Sequence, residues 1–154
     1  MAATSRRFWL MAGSVATALF LAIQLVPYGR DQTNPPVVSE PGWNLPGTRA
    51  LAERACFDCH SNQTRWPAYA RVAPGSWLIA HDVAEGREHL NFSEWQRAQE
   101  EAKESADTVR EGEMPPIQYR LLHPEARLSA DEREQLADGL AATLGRAVAS
   151  AGRE

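Results

Sequence analysis

The sequence predicts an all-α domain with long loops, preceded by one N-terminal transmembrane helix. Three observations predict it: an uncharged apolar run near the start, leucines at helical spacing near the end, and no apolar/polar alternation between them. The run is Phe8 to Val26, "FWLMAGSVATALFLAIQLV", 19 positions of which only Gln24 is strongly polar. At about 1.5 Å per residue it would be about 28 Å long, close to the hydrocarbon thickness of a bilayer. Arg6 and Arg7 precede it and no acid does, so the N-terminus is expected in the cytoplasm and the rest outside. Ala16-Thr17-Ala18 has the form of a signal cleavage site, but it lies in mid-run. An uncleaved anchor over residues 1–27 is therefore the expectation.

Residues 28–47 read as an extended linker. "PYGRDQTNPPVVSEPGWNLPGT" holds five prolines and three glycines in 22 residues, which no helix tolerates. The remaining residues, 48–154, form one domain. Thr48 is expected to cap a helix from about Arg49 into "RACFDCH", with Leu51 and Ala55 on one face. A loop broken at Pro67 and Pro74 follows, then a helix over "SWLIAHDVAEGREHL" that ends or bends near Gly86. Ser93 with Gln96 predicts a further helix reaching about Arg110. "EGEMPPIQYRLLHPEARL" reads as loop. Ser129 with Glu132 has the form of a capping box, opening a last helix with Leu136, Leu140 and Leu144 on one face.

Charge excludes one class of partner. Fourteen of the 16 Lys and Arg, and all 20 Asp and Glu, follow the anchor, a net of −6. Such a surface does not suit nucleic acid, whose phosphates call for basic stripes.

The chemistry is concentrated in "CFDCH". Cys56 and Cys59 are three apart and His60 follows directly. On a helical turn the three side chains project toward one side. C-x-x-C-H is the signature of covalent c-type haem attachment, with two thioethers holding the macrocycle and the imidazole reaching the iron. Three alternatives compete. A disulfide would close too short a loop to remove much chain entropy and would leave His60 unexplained. A thioredoxin-like pair wants a βαβ setting that is absent from the pattern. A zinc site would need two of His81, His89 and His123, which lack paired spacing.

A haem held by His60 needs a sixth ligand or leaves that place open. Met114, in "EGEMPPIQY", is the single methionine outside the start residue and the anchor. Pro115 and Pro116 stiffen the loop that would present it. His123, before Pro124, is the best substitute, ahead of His81 and His89. Trp66, Tyr69, Trp77, Trp95 and Tyr119 could wall a porphyrin or build a helical core. Arg65, Arg87 and Asn91 are candidates to bond haem propionates.

Taken together, "VPYGRDQTNPPV", "CFDCHSNQTRWPAYARVAPGSWLIAHDVAEGREHLNFSEW" and "EGEMPPIQYRLLHPEARLS" resemble the haem-binding-domain family of bacterial membrane-anchored proteins. The resemblance covers most of residues 26–129. A helix, a haem motif and a late Met-Pro are also similar to class I cytochrome c. That wider likeness implies a small cytochrome c-like helical fold, thioethers at Cys56 and Cys59, proximal His60 and distal Met114. It further implies a proline carbonyl orienting the proximal imidazole, for which Pro74 is the candidate. The chain departs from that class in lacking a glycine-rich loop after the motif and in carrying the longer "RVAPGSWLIAHDVAEGREHLNFSEW".

The expectation is a membrane-anchored, single-haem c-type domain on the outer side of a bacterial inner membrane. It would pass one electron to an unidentified redox partner or respiratory complex. A haem-based gas or redox sensor with a weakly held sixth ligand is one alternative; a zinc- or disulfide-stabilised interaction module is another. No acid/base pair or nucleophilic triad suggests an enzyme.

Overall fold

The computed structural model describes residues 2–99 and 101–151, with side chains for residues 5–99 and 101–144. It contains α1 (Ala2–Ile23), α2 (Pro46–Ala55), α3 (Phe57–His60), α4 (Gly75–His89), α5 (Ser105–Glu111), α6 (Ile117–Leu122) and α7 (Ala130–Ala151). Short 3-10 turns occur at Ala68–Arg71 and Pro124–Ala126. Among the described residues there is no strand, only an isolated bridge between Ser39 and Glu94. The all-α expectation holds, and within α1 the stretch Ser5–Ile23 is long and apolar enough to cross a membrane.

The chain forms two compact units, Met1–Gln32 with Trp66–His81, and Thr33–Arg65 with Asp82–Glu154. In the first, α1 ends at Ile23 and Gln24 follows. Its side-chain amide donates to the Ala73 carbonyl at 3.0 Å and accepts from the Ala73 N–H at 2.9 Å. The one strongly polar side chain of the apolar run thus pairs with backbone at both ends of its amide. Gln32 does the same work farther along, donating to the Ala70 carbonyl at 2.7 Å.

The second unit is built on α7. As the sequence suggested, the Ser129 N–H donates to Glu132 at 2.8 Å and the Glu132 N–H donates back to Ser129 Oγ at 3.2 Å. Leu136 and Leu140 are buried and Leu144 is partly so; burying each such side chain is worth about 1.5–3 kcal/mol. Helices α2 and α5 pack on α7. Helix α2 begins three residues earlier than expected, at Pro46, and Thr48 does not cap it. Thr48 is instead buried against Gly139, where an added Cβ would lie 2.3 Å from the Thr48 hydroxyl.

Ahead of α2, residues 33–45 carry no helix and are hydrogen-bonded at many points. The Val38 and Ser39 amides both donate to the Ser93 carbonyl, at 2.9 and 3.1 Å. Glu40 takes a two-point bond from Arg49, at 2.7 and 2.8 Å. That bond holds the Glu40 carboxyl below its ordinary range, against the opposing effect of burial. Trp43 then packs into a cluster with Phe57 and Phe92, on which Trp95 stacks.

Three local expectations are corrected. Helix α4 runs through Gly86 to His89 without ending there. The helix expected from Ser93 does not form; residues 91–99 and 101–104 are mainly turns and irregular chain, and α5 begins only at Ser105. Both halves of the supposed capping box are engaged elsewhere: Ser93 Oγ accepts from the Asn62 N–H at 2.9 Å, and the Gln96 amide donates to Ser39 Oγ at 3.2 Å. The stretch after Met114, expected as loop, contains α6.

Candidate functional site

The Cys56–His60 turn lies where α2 stops and α3 starts. Cys56 leaves helical geometry at φ −124° and ψ −33°. Its carbonyl then accepts from the Cys59 and His60 amides, at 3.2 and 2.8 Å. These two bonds close the motif into a single turn. Phe57, fully buried in the aromatic cluster, pins the turn to the core, and the Phe92 N–H donates to the His60 carbonyl at 2.8 Å.

His60 is held by its ring as well. Nδ1 lies 2.9 Å from the Gly86 carbonyl and 3.1 Å from the Leu90 carbonyl. Facing two oxygens, Nδ1 must carry the proton, which leaves the Nε2 lone pair as the ring's ligating atom. Burial lowers the His60 pKa, against an opposing pull from these carbonyls, and so favours the neutral, ligating imidazole. Pro74 was the sequence-based choice for the orienting carbonyl. Pro74 belongs to the other unit, and its oxygen accepts from the Trp77 and Leu78 amides at the start of α4.

Gly86 explains how α4 can bring those carbonyls so near. A Cβ there would sit 2.8 Å from the Cys59 carbonyl oxygen and 3.2 Å from Cys59 Cβ. Only a residue without a side chain lets the helix lie against the motif backbone.

Cys56 and Cys59 are free thiols, each half-buried. Burial pushes the Cys56 thiol up to about 12, with Cys59 adding to it. Burial, then Asp82 and Asp58, push Cys59 to about 12 as well. Neutral thiols of this kind lack the lowered pKa of a redox-active C-x-x-C pair. Among the described residues no three His, Cys, Asp or Glu side chains are arranged to hold a metal ion. A tetrahedral zinc needs donors converging on one point. A haem does not: its cysteines attach at the ring edge and its histidine at the centre. The donor set fits haem.

Around the motif runs a polar shell, in which sequence reasoning missed Asp58. Asp58, buried between the two cysteines, accepts from the Tyr119 hydroxyl at 2.6 Å and from the Arg65 amide at 3.0 Å. Tyr119 sits on α6, so this bond joins the segment that follows Met114 to the motif. Burial, then Asp58, raise the Tyr119 pKa well above its ordinary value. Arg87 Nε donates to the Ser61 carbonyl at 2.9 Å and its Nη2 to Thr64 Oγ1 at 2.8 Å. Asn91 Nδ2 donates to Asn62 Oδ1 at 2.9 Å and is fully buried. Of the three residues expected to bond propionates, Asn91 is thus part of an internal network, and Arg65 and Arg87 bond protein oxygens.

Of the candidate sixth ligands, Met114 leaves 39% of its surface exposed and does not belong to the core cluster. Its amide donates to the Thr108 carbonyl at 3.3 Å. His123 stacks on Tyr119 at 3.9 Å between ring centres, with Nδ1 3.1 Å from the Tyr119 carbonyl. Of the aromatic residues expected to wall a cofactor, Trp66, Tyr69 and Trp77 lie in the other unit, while Trp95 joins the core cluster and Tyr119 reaches Asp58.

A helical domain presenting a C-x-x-C-H turn with a carbonyl-oriented imidazole defines a haem-binding protein. Comparison with known families agrees: the haem-binding domain model matches residues 18–142, and the chain belongs to that family. No curated protein and no solved structure matches the chain.

Proposed function

We propose that the chain is a single-haem c-type cytochrome, anchored by α1 in a bacterial cytoplasmic membrane with its domain on the outer side. In this reading Cys56 and Cys59 would hold the haem through two thioethers, and His60 Nε2 would ligate its iron. The observation that carries it is the His60 ring, whose Nδ1–H is spent on the Gly86 and Leu90 carbonyls. Such a bond fixes the tautomer, sets the ring plane and strengthens the imidazole as a ligand.

Haem, when bound, supplies a one-electron couple. The chain's own residues hold it and set its surroundings. Phe57 and the Asn62–Asn91–Ser93 network keep the turn from shifting. The distal ligand is Met114, an exposed thioether on the loop that Tyr119 ties to Asp58; His123 is the rival. Electrons pass to an unidentified redox protein or respiratory complex, and no catalytic group is needed. The outer-side placement rests on Arg6 and Arg7 preceding α1.

The test is attachment. Expressed with haem-attachment machinery, the protein is expected to keep haem on a denaturing gel, and Cys56→Ala with Cys59→Ala to release it. Wild-type protein that carries zinc and no haem would overturn the reading.

A further inference from the structure

The first unit holds chemistry that the haem reading does not use. After α1, it consists of residues 24–32 and 66–81. These carry four of the chain's eight Trp and Tyr: Tyr28, Trp66, Tyr69 and Trp77. Amphipathic rings of this kind concentrate where hydrocarbon meets headgroup. The charge also changes. Residues 27–154 carry a net of −6, yet in these two stretches Asp31 is the sole acid beside Arg30 and Arg71.

The two arginines line one open cleft of about 420 Å³ with Gln24, Gln32 and Ser76. Its walls are built. Gln24 and Gln32 are fixed by the Ala73 and Ala70 backbones. Gly29, at φ +74°, lets the chain approach Ser76, whose carbonyl would lie 2.4 Å from any Cβ. Arg30 donates to the Gln24 carbonyl at the end of the membrane-spanning helix. Arg71 is exposed and makes no ion pair or side-chain hydrogen bond among the described residues. Within one or two residues of the lining positions in sequence, Leu25, Tyr28, Val72 and Leu78 leave apolar surface exposed.

The geometry points to a binding site for an anionic phospholipid: the cleft takes the headgroup phosphate between Arg30 and Arg71, and the flanking apolar side chains rest in the acyl boundary. Continuity argues for a lipid over other anions. The cleft begins at the residue where α1 leaves the hydrocarbon, so the phosphate plane of the bilayer lies at its mouth. A guanidinium near that plane attracts anionic lipid by an amount equivalent to about fivefold in occupancy. The inference rests on α1 spanning the membrane and is independent of the haem.

The experiment uses the full-length haem protein in nanodiscs of phosphatidylcholine containing a minority of phosphatidylglycerol. Lipid that stays with the protein through detergent extraction is identified by native mass spectrometry. Wild type is expected to retain phosphatidylglycerol preferentially, and Arg71→Gln to lower that preference about fivefold. Arg30→Gln should act in the same direction, while Leu78→Ser should reduce retention of both lipids and leave the preference. Haem absorbance and helicity serve as checks that each variant is folded. Equal retention of the two lipids by wild type, or an unchanged preference in both arginine variants, would overturn the site. Displacement of the lipid by inorganic phosphate would show a free-anion site and also overturn it. Carbonate extraction separates the premises: a chain that resists it without lipid preference loses only this site, and one that washes out loses the anchor and the site together.

Discussion

The two sides of the candidate haem site are held very differently. The proximal turn is fixed from several directions at once, by the Phe57 core contact, the Gly86 and Leu90 carbonyls on His60, and the Arg87 bond to Ser61. The segment that carries Met114 has little comparable support. Helix α6 contributes no buried residue, and the Tyr119–Asp58 bond links it to the motif. A cytochrome needs a proximal ligand that does not move, since its orientation sets the iron's surroundings. The distal side can be softer, and then ligand strength there depends on loop position. Damage to the proximal side should therefore cost stability and haem together. Damage to the distal side should change the spectrum with little loss of stability.

Gly86→Ala is the most severe way to test the proximal half. The new Cβ would meet the Cys59 carbonyl oxygen at 2.8 Å, backbone against backbone, with no flexible side chain to yield. Overpacking of this kind costs about 1–3 kcal/mol. It also moves α4 away from the motif, lengthening the bonds from His60 Nδ1. The expected outcome is a lower melting temperature together with a reduced haem content, measured by absorbance per protein. A variant with full haem content and wild-type stability would show that α4 does not hold the motif.

Tyr119→Phe cuts the link between the two sides and is expected to cost less, about 1–2 kcal/mol for a partly buried hydrogen bond to a carboxylate. Its pH dependence identifies the cause. Burial and Asp58 raise the phenol's pKa, so the folded protein keeps the proton at pH values where the unfolded chain has released it. The stabilisation is complete below the ordinary value of 10.0 and is lost as the pH rises beyond it toward the folded value. Denaturant unfolding at neutral and alkaline pH should show wild type converging on the variant above that point. Parallel, separated curves would mean that the phenol's pKa is not raised on folding, and coincident ones that the hydroxyl contributes nothing.

What could be read in advance followed how local the signal was. The capping box at Ser129 and the leucine face of α7 are complete within one helix, and both form as written. The C-x-x-C-H turn is equally local. Ser93 and Gln96 carried the same capping signature, but Asn62 and Ser39 claim those groups from distant parts of the chain. A pattern within four residues cannot show that competition. Gly86 was a helix breaker by propensity, yet it is needed for the approach of α4 to Cys59. The orienting carbonyls of Gly86 and Leu90 leave no mark on residue type at all, because every residue has one. Asp58 could have been noticed: a carboxylate between two buried thiols needs partners, and Tyr119 and Arg65 supply them.

Met114→Ala should have the smallest effect on stability and the sharpest on the iron. The side chain is 39% exposed and outside the core, so its removal is expected to change unfolding free energy by about 0.5 kcal/mol or less. Thioether ligation raises a haem's reduction potential relative to imidazole. If Met114 is the distal ligand, the variant should lose the weak sulfur-to-iron band of the oxidised protein, fall in potential and bind carbon monoxide when reduced. Met114→His should restore a six-coordinate spectrum at a potential still below that of wild type. His123→Ala is the control, since that ring is already stacked on Tyr119 and its Nδ1 lies against a carbonyl. An unchanged spectrum in Met114→Ala with an altered one in His123→Ala would assign the distal place to His123. Carbon monoxide binding by reduced wild type itself, before any substitution, would instead mark the sixth position as weakly held, the arrangement of a gas sensor. A large loss of stability in Met114→Ala would break the comparison between the two sides, because it would mean that the distal loop is held by this side chain after all.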